Sequence, residues 1–283
     1  MKNLIIRSIT GIIYVAAILC SFLNAVAMII LFAIVTGLAI WEYTGLVNEH
    51  DCNVNVNRFI STVAGVYFFL AVAGFCSELT PTTVFIPYLI TVIYLLIAEL
   101  YAKNPQPVTT WAYTMFSQMW IALPIATLNI LAFTATDDGP VFSCIIPLSI
   151  FIFLWLNDTG AYCCGSLFGK HKLFPRISPK KSWEGSIGGA ILVVIAAIII
   201  GLVLGQHAEI SNMLSIPQWI GLGLVVVVFG TFGDLVESLF KRTLGIKDSG
   251  TILPGHGGIL DRFDSALMAF PATVVYLYTI SIL

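Results

Sequence analysis

Apolar stretches of about 20 residues follow one another along the chain, separated by short polar joints. They fall near 5–23, 24–41, 59–77, 84–100, 111–135, 142–158, 186–205, 217–235 and 264–282. Each is long enough to cross roughly 30 Å of hydrocarbon as a helix. The pattern predicts an all-α, polytopic integral membrane protein with about nine transmembrane helices. Asn24 is the only polar residue between the first two stretches, which predicts a tight helical hairpin there. Ala25-Val26-Ala27 also resembles a signal-peptide cleavage site, but another apolar helix follows at once. Residues 1–140 read as about five scaffold and lipid-facing helices, and 141–283 as the remaining helices with two long polar loops.

Orientation follows from the basic residues. With the N-terminus in the cytoplasm and nine alternating crossings, all 13 Lys and Arg fall on the inner side or at its edge. The outer loops then keep Glu78, Asp137, Asp138, His207 and Glu209, and the C-terminus lies outside. The two long loops, about 159–185 and 236–263, are both inner, so a soluble charged reactant meets the protein there.

Composition narrows the class. The chain is 58% hydrophobic and 10% charged, against about 25% charged in soluble domains. Mean hydropathy is +0.96. A net charge of -2 selects no partner, and no nucleic acid is expected. The six cysteines form no Cys-x-x-Cys or Cys/His pattern and read as small apolar packing residues.

Against this background, Ser238–Asp264 stands out: its 27 residues hold four of the 13 basic residues, three of the 15 acids and one of the four histidines. Just upstream, Asp234 and Glu237 sit in an apolar helix, where ionisable groups are costly and mark working sites. Asp234, Glu237, Ser238 and Lys241, at offsets of three, four and seven, share one helix face. That stripe suits either a site for a cation and phosphate oxygens or an interfacial face with intrahelical ion pairs. Asp261 and Asp264 share a face at the start of the last helix, where the helix dipole favours carboxylates. With Asp234 they could also form a hard, oxygen-rich cage for Mg²⁺. Between the two groups, Pro254-Gly255-His256-Gly257-Gly258 is either a flexible turn or a loop whose amides approach a phosphate. Lys241, Arg242, Lys247 and Arg262 bracket it, as cations that neutralise phosphoryl groups would.

The other inner loop repeats the theme. Asn157-Asp158-Thr159 closes the sixth helix; Lys170, His171, Lys172 and Arg176 follow, then Ser178-Pro179-Lys180-Lys181-Ser182-Trp183-Glu184. These cations serve either as topology signals or as a grip on a triphosphate. Gly185, Gly188 and Gly189 predict close helix packing behind them. Trp41-Glu42-Tyr43 reads as an interfacial belt and Glu99 as a packing residue, neither with a chemical role.

Taken whole, Ser238–Asp264 resembles the signature of the phosphatidate cytidylyltransferases, or CDP-diacylglycerol synthases. That pattern is Ser, two residues, Lys-Arg, four residues, Lys-Asp, then Pro or Gly two before His-Gly-Gly, then Asp-Arg-apolar-Asp. Ser238, Lys241, Arg242, Lys247, Asp248, Pro254, His256, Gly257, Gly258, Asp261, Arg262 and Asp264 fill every fixed position. Upstream, Asp158, Ala161-Tyr162, Gly169-Lys170, Ser178-Pro179-Lys180-Lys181 and Glu184 extend the likeness to about 155–265; the first 150 residues match in hydropathy alone.

The resemblance implies transfer of CMP from CTP to phosphatidic acid, giving CDP-diacylglycerol and pyrophosphate at the inner face of a bacterial cytoplasmic membrane. It implies Mg²⁺, with a monovalent cation such as K⁺ as a second metal, and a homodimer. Metal falls to Asp234, Asp261 and Asp264; the catalytic set adds Lys241, Arg242, Lys247, Asp248, His256 and Arg262. Substrate binding falls to Asp158, Lys170, Lys172, Ser178, Lys180, Lys181, Glu184, Ser238, Gly257 and Gly258. A cytidylyltransferase for another lipid phosphate shares the signature. A CDP-alcohol phosphotransferase lacks support, because its Asp-Gly-x-x-Ala-Arg signature is absent. An ion-coupled transporter would gather its charges near the midplane and often show paired repeats.

Overall fold

A backbone in hydrocarbon must satisfy its polar groups internally, and helices do so within one segment. In the computed structural model, which describes residues 2–205, 214–250, 252, 255 and 257–280 (side chains from residue 8 onward), each predicted apolar stretch falls mainly on a helix, with 133–135 and 142 in a hairpin instead and 281–282 outside the described residues. Among the described residues, seven helices are long and apolar enough to cross a membrane. They are α2 (Ala25–His50), α3 (Arg58–Cys76), Thr82–Ala102 containing α4 (Ile86–Ala102), Pro107–Ala132, α7 (Ile145–Phe168), α8 (Trp183–Leu204) and α9 (Ile216–Thr243). Pro107–Ala132 comprises α5 (Pro107–Ser117), a π turn over Gln118–Ala122 and α6 (Leu123–Ala132). Of α1 (Lys2–Ser21), only Ser8–Ser21 counts as a shorter apolar helix, and α10 (Leu260–Thr279) opens on charged residues. The chain is an all-α, polytopic integral membrane protein.

Side-chain caps fix several helix starts, each accepting from an otherwise orphaned backbone N–H. Asn24, the expected turn, accepts from Ala27 N at 2.8 Å; Asn57 accepts from Ile60 N at 3.0 Å and Ser182 from Gly185 N at 3.2 Å. The C-terminus of α9 closes in a Schellman motif: Ile246 N donates to Lys241 O at 2.9 Å and Gly245 N to Arg242 O at 3.1 Å. Gly245 sits at φ +72°, a conformation that glycine adopts without a Cβ penalty.

Three helices outrun their predicted ends. α2 reaches His50 rather than about residue 41, α7 reaches Phe168 rather than 158, and α9 reaches Thr243 rather than 235. Hydropathy stops at the membrane boundary, but backbone hydrogen bonding does not. Two antiparallel hairpins also interrupt the all-helical expectation. β1 (Phe133–Thr136) pairs with β2 (Gly139–Phe142) around Asp137-Asp138, and β3 (Lys172–Phe174) pairs with β4 (Ser178–Ser182). All six cysteines are free.

The chain divides into two compact units. The first comprises Met1–Ile145 with Phe240–Phe263. Phe32, Tyr43, Phe69, Ile121 and Ile125 are fully buried in it. Tyr43 stacks on Phe240 with ring centres 5.0 Å apart and meets Trp120 edge-on at 6.0 Å. In the π turn, buried Gln118 donates to Ser61 O at 3.0 Å.

The second unit comprises Ile146–Leu239 with Asp264–Leu283. Its buried residues include Phe151, Phe153, Val193, Trp219 and Phe270, with Phe151 and Phe270 edge-to-face at 5.6 Å. The glycines of α7 and α8 set the closest approach, as predicted. A Cβ on Gly160 would stand 2.8 Å from Gly189 Cα and 3.0 Å from Gly188 O. Without a hydrophobic drive in lipid, such close contact is how membrane helices associate.

Candidate active site

In the second unit, Asp234 and Glu237 lie one turn apart on α9, with Asp264 on α10. One carboxylate oxygen from each lies within 4.8 Å of the others. Glu237 is fully buried, and the aspartates are half-buried. Gly233 permits the approach of the two helices, since a Cβ there would meet Asp264 O at 2.5 Å. Asp234 Oδ2 accepts from Lys181 Nζ at 2.7 Å, and Oδ1 accepts from Ser238 Oγ at 3.1 Å. Three hard oxygen donors, one of them buried, suit a divalent cation, whose charge offsets their mutual repulsion. The group therefore fits a metal of that class.

A cavity of about 200 Å³ opens in the same unit, lined by Asn157, Asp158, Tyr162, Lys180, Lys181 and Thr231 among others. Lys181 Nζ also reaches Thr231 O at 3.4 Å. Asp158 and Lys180 are exposed and line the cavity. The β3–β4 hairpin carries the other predicted cations. Lys170 and Lys172 are exposed, while Ser178 is half-buried and registers with Phe174. Glu184, in the first turn of α8, accepts from His171 N at 3.1 and 3.2 Å and meets His171 Nδ1 at 2.5 Å. It ties the hairpin to α8.

The first unit holds the rest of the signature. Lys241 Nζ lies 2.6 Å from Asp261 Oδ1, and both side chains are largely buried. Asp261 Oδ2 accepts from Ser249 N and Gly258 N, each at 2.9 Å. Burial alone pushes the Asp261 pKa up, but the Lys241 ammonium and the two N–H donors outweigh it and hold it at about 2. Arg242, exposed, donates to Ile246 O at 2.9 Å. Lys247, Asp248 and Arg262 are exposed, with Arg262 O accepting from Tyr14 OH at 3.1 Å. Pro254 and His256 lie outside the described residues.

The sequence profile of the cytidylyltransferase family matches residues 5–280. The chain belongs to the cytidylyltransferase family. A phosphatidate cytidylyltransferase of Haemophilus influenzae is 32% identical over 283 aligned residues, covering 94% of this chain and 95% of its own. A phosphatidate cytidylyltransferase of Staphylococcus epidermidis is 48% identical over 124 residues, 44% of this chain and 45% of its own. One of Staphylococcus aureus is 50% identical over 126 residues, with 44% and 45% covered. Membership of the family agrees with a divalent metal at the acidic group.

Two acids of this cytidylyltransferase, which the sequence presents as belt or packing residues, have defined partners in the structure. Glu42, on α2, is buried and accepts from Ser249 Oγ, from Ile259 N at 2.9 Å and from Leu260 N at 3.2 Å. An acid inside an apolar helix was the available signal; nothing local pointed to its partners. Glu99 is buried, accepts from Asn104 Nδ2 at 2.6 Å and lines a polar cavity of about 500 Å³ with Asn48, Asn57, Arg58 and Thr114. Glycine is required at 257 and 258 by neighbouring carboxylates. Gly257 has φ +83° and its Cβ would stand 2.5 Å from Asp261 Oδ2, while a Cβ on Gly258 would collide with Glu42 Oε1 and Ser249 Oγ.

Proposed function

We propose that the protein is a CTP:phosphatidate cytidylyltransferase. The observation that carries this reading is the gathering of Asp234, Glu237 and Asp264, with Lys181 held on Asp234. A phosphate oxygen of phosphatidic acid attacks the α-phosphorus of CTP. The bond from that phosphorus to the bridging oxygen of the β-phosphate breaks, and pyrophosphate leaves with its electron pair. The nucleophile is already an anion, so no strong base is required, and catalysis rests on positioning and charge neutralisation.

Asp234, Glu237 and Asp264 would hold the ion. Mg²⁺, with K⁺ as a second ion, supplies neutralisation of the phosphoryl oxygens when bound. Asp261, the third metal residue implied by the resemblance, bonds Lys241, and a metal role requires Lys241 to release Oδ1. Lys180 and Lys181 engage CTP or the phosphatidate headgroup from the cavity rim, with Asp158 beside them. Lys241, Arg242, Lys247 and Arg262 neutralise phosphates, and the His256 loop orients the leaving pyrophosphate. The distribution of basic residues supports a cytoplasmic face for the site, and bacterial relatives support an inner-membrane location. The resemblance supports a homodimer.

The test is CTP-dependent product formation by the purified protein in detergent with phosphatidate, labelled CTP and Mg²⁺. Label in the lipid fraction, lost with EDTA and with Asp264→Asn, is the expected result. No label, with a known synthase working alongside, rejects phosphatidate as the substrate.

A further inference from the structure

The helix that carries Asp261 begins without a cap of its own. Gly257-Gly258-Ile259 offers no side-chain acceptor to the first amides of α10, where Ser, Thr, Asp or Asn would normally stand. The acceptor comes from α2. Glu42 Oε2 takes the Ile259 amide at 2.9 Å and Oε1 takes that of Leu260 at 3.2 Å. Its negative charge at a helix N-terminus is favourable in itself. The same carboxylate receives the hydroxyl of Ser249. Ser249 Oγ accepts from Asp261 N at 3.3 Å, and Ser249 N donates to Asp261 Oδ2 at 2.9 Å. Asp261 in turn holds Lys241 at 2.6 Å.

We infer that Glu42 is a positioning residue for the proposed phosphoryl transfer. Through the α10 amides and Ser249, it fixes where Asp261 and Lys241 stand without touching the reactants. Four charged or polar side chains, Glu42, Ser249, Asp261 and Lys241, are thereby locked in sequence inside the first unit, and three of them are contributed by the signature segment. Glycine at 258 is the other half of the device, because the Glu42 carboxylate occupies the space of any side chain there. The inference rests on the reaction proposed above for its kinetic part and on geometry alone for its placement.

The test uses the full-length protein in detergent, with Glu42→Gln, Glu42→Ala, Gly258→Ala and the Glu42→Ala/Gly258→Ala double variant. Loss of a residue that orients a site residue costs about 10–100-fold in activity. Glu42→Ala is expected to lower kcat by that amount with the KM for CTP within about threefold, a split diagnostic of lost positioning rather than lost binding. Glu42→Gln keeps one acceptor oxygen and is expected to recover part of the loss. Gly258→Ala is expected to cost less in the Glu42→Ala background than on its own, since the two share one space. Hydrogen exchange over peptides spanning 249–261 reads the placement independently of substrate, and is expected to accelerate in Glu42→Ala. Unchanged exchange overturns the inference whatever the reaction. Faster exchange with kcat within twofold of an active parent also overturns it, leaving Glu42 a purely structural cap. A parent that turns over no phosphatidate rejects the proposed reaction, and the exchange result still decides the placement.

Discussion

Lys181 Nζ stands 2.7 Å from Asp234 Oδ2, so a cation contributed by the β3–β4 hairpin sits on a carboxylate of the acidic group. The two side chains are 25% and 32% exposed, which makes the contact weak as a stability term. Its weight lies in competition, because the ammonium and a metal at the acidic group would both draw on the Asp234 carboxylate. Lys181→Ala is therefore expected to lower the Mg²⁺ concentration giving half-maximal rate while reducing kcat/KM for CTP by about 100-fold, the scale of a lost phosphate-positioning contact. A Mg²⁺ titration of initial rates reads both effects.

Glu237 separates a metal site from an interfacial ion-pair face. A ligand that binds the folded state raises its melting temperature with concentration. Mg²⁺ is expected to stabilise the parent in a thermal scan without substrate, and Glu237→Gln and Asp264→Asn are each expected to remove most of that shift. A full shift in both variants would remove the acidic group as the metal site.

Close packing of α7 on α8 gives a stability prediction. The Cβ of Gly160→Ala would meet backbone atoms of Gly188 and Gly189 at 3.0 and 2.8 Å, which cannot swing aside as a side chain does. The substitution is expected to cost about 1–3 kcal/mol, the range for overpacking. Thermal unfolding in detergent measures it. Asn157 and Asp158 lie on the same stretch of α7 and line the cavity, so CTP turnover is expected to fall with it.

Two glycines of similar backbone and different surroundings form a controlled pair. Gly245 and Gly257 have φ of +72° and +83°, so alanine at either costs roughly 1–2 kcal/mol of left-handed strain. A Cβ at Gly245 meets nothing within 4 Å, whereas at Gly257 it meets Asp261 Oδ2 at 2.5 Å. Gly245→Ala is expected to retain kcat within about threefold, and Gly257→Ala to lose most of it through Asp261. Equal activity losses would mean that strain alone decides.

Hydropathy marked the seven long apolar helices among the described residues because crossing a bilayer demands a long apolar run, and the charge offsets on α9 announced Asp234 and Glu237 as a face. Helix ends at His50, Phe168 and Thr243 were illegible, since nothing in hydropathy marks a helix that continues beyond apolar surroundings. The β3–β4 hairpin was hidden by its lysines, which read equally well as topology signals. The partners of Glu42 could not be read at all. They lie more than two hundred residues away, and only the folded first unit brings Ser249, Ile259 and Leu260 to it.

That long-range contact bears on how the family's sequences can drift. Pairs of residues in contact tend to change together. An acid at position 42 and glycine at 258 are expected to appear and disappear jointly among homologues. A chimera that takes its first helices from a distant relative is then expected to work where that relative also supplies a carboxylate at the position of Glu42. Position 42, on the second helix, is thus tied by inheritance to the signature more than two hundred residues away.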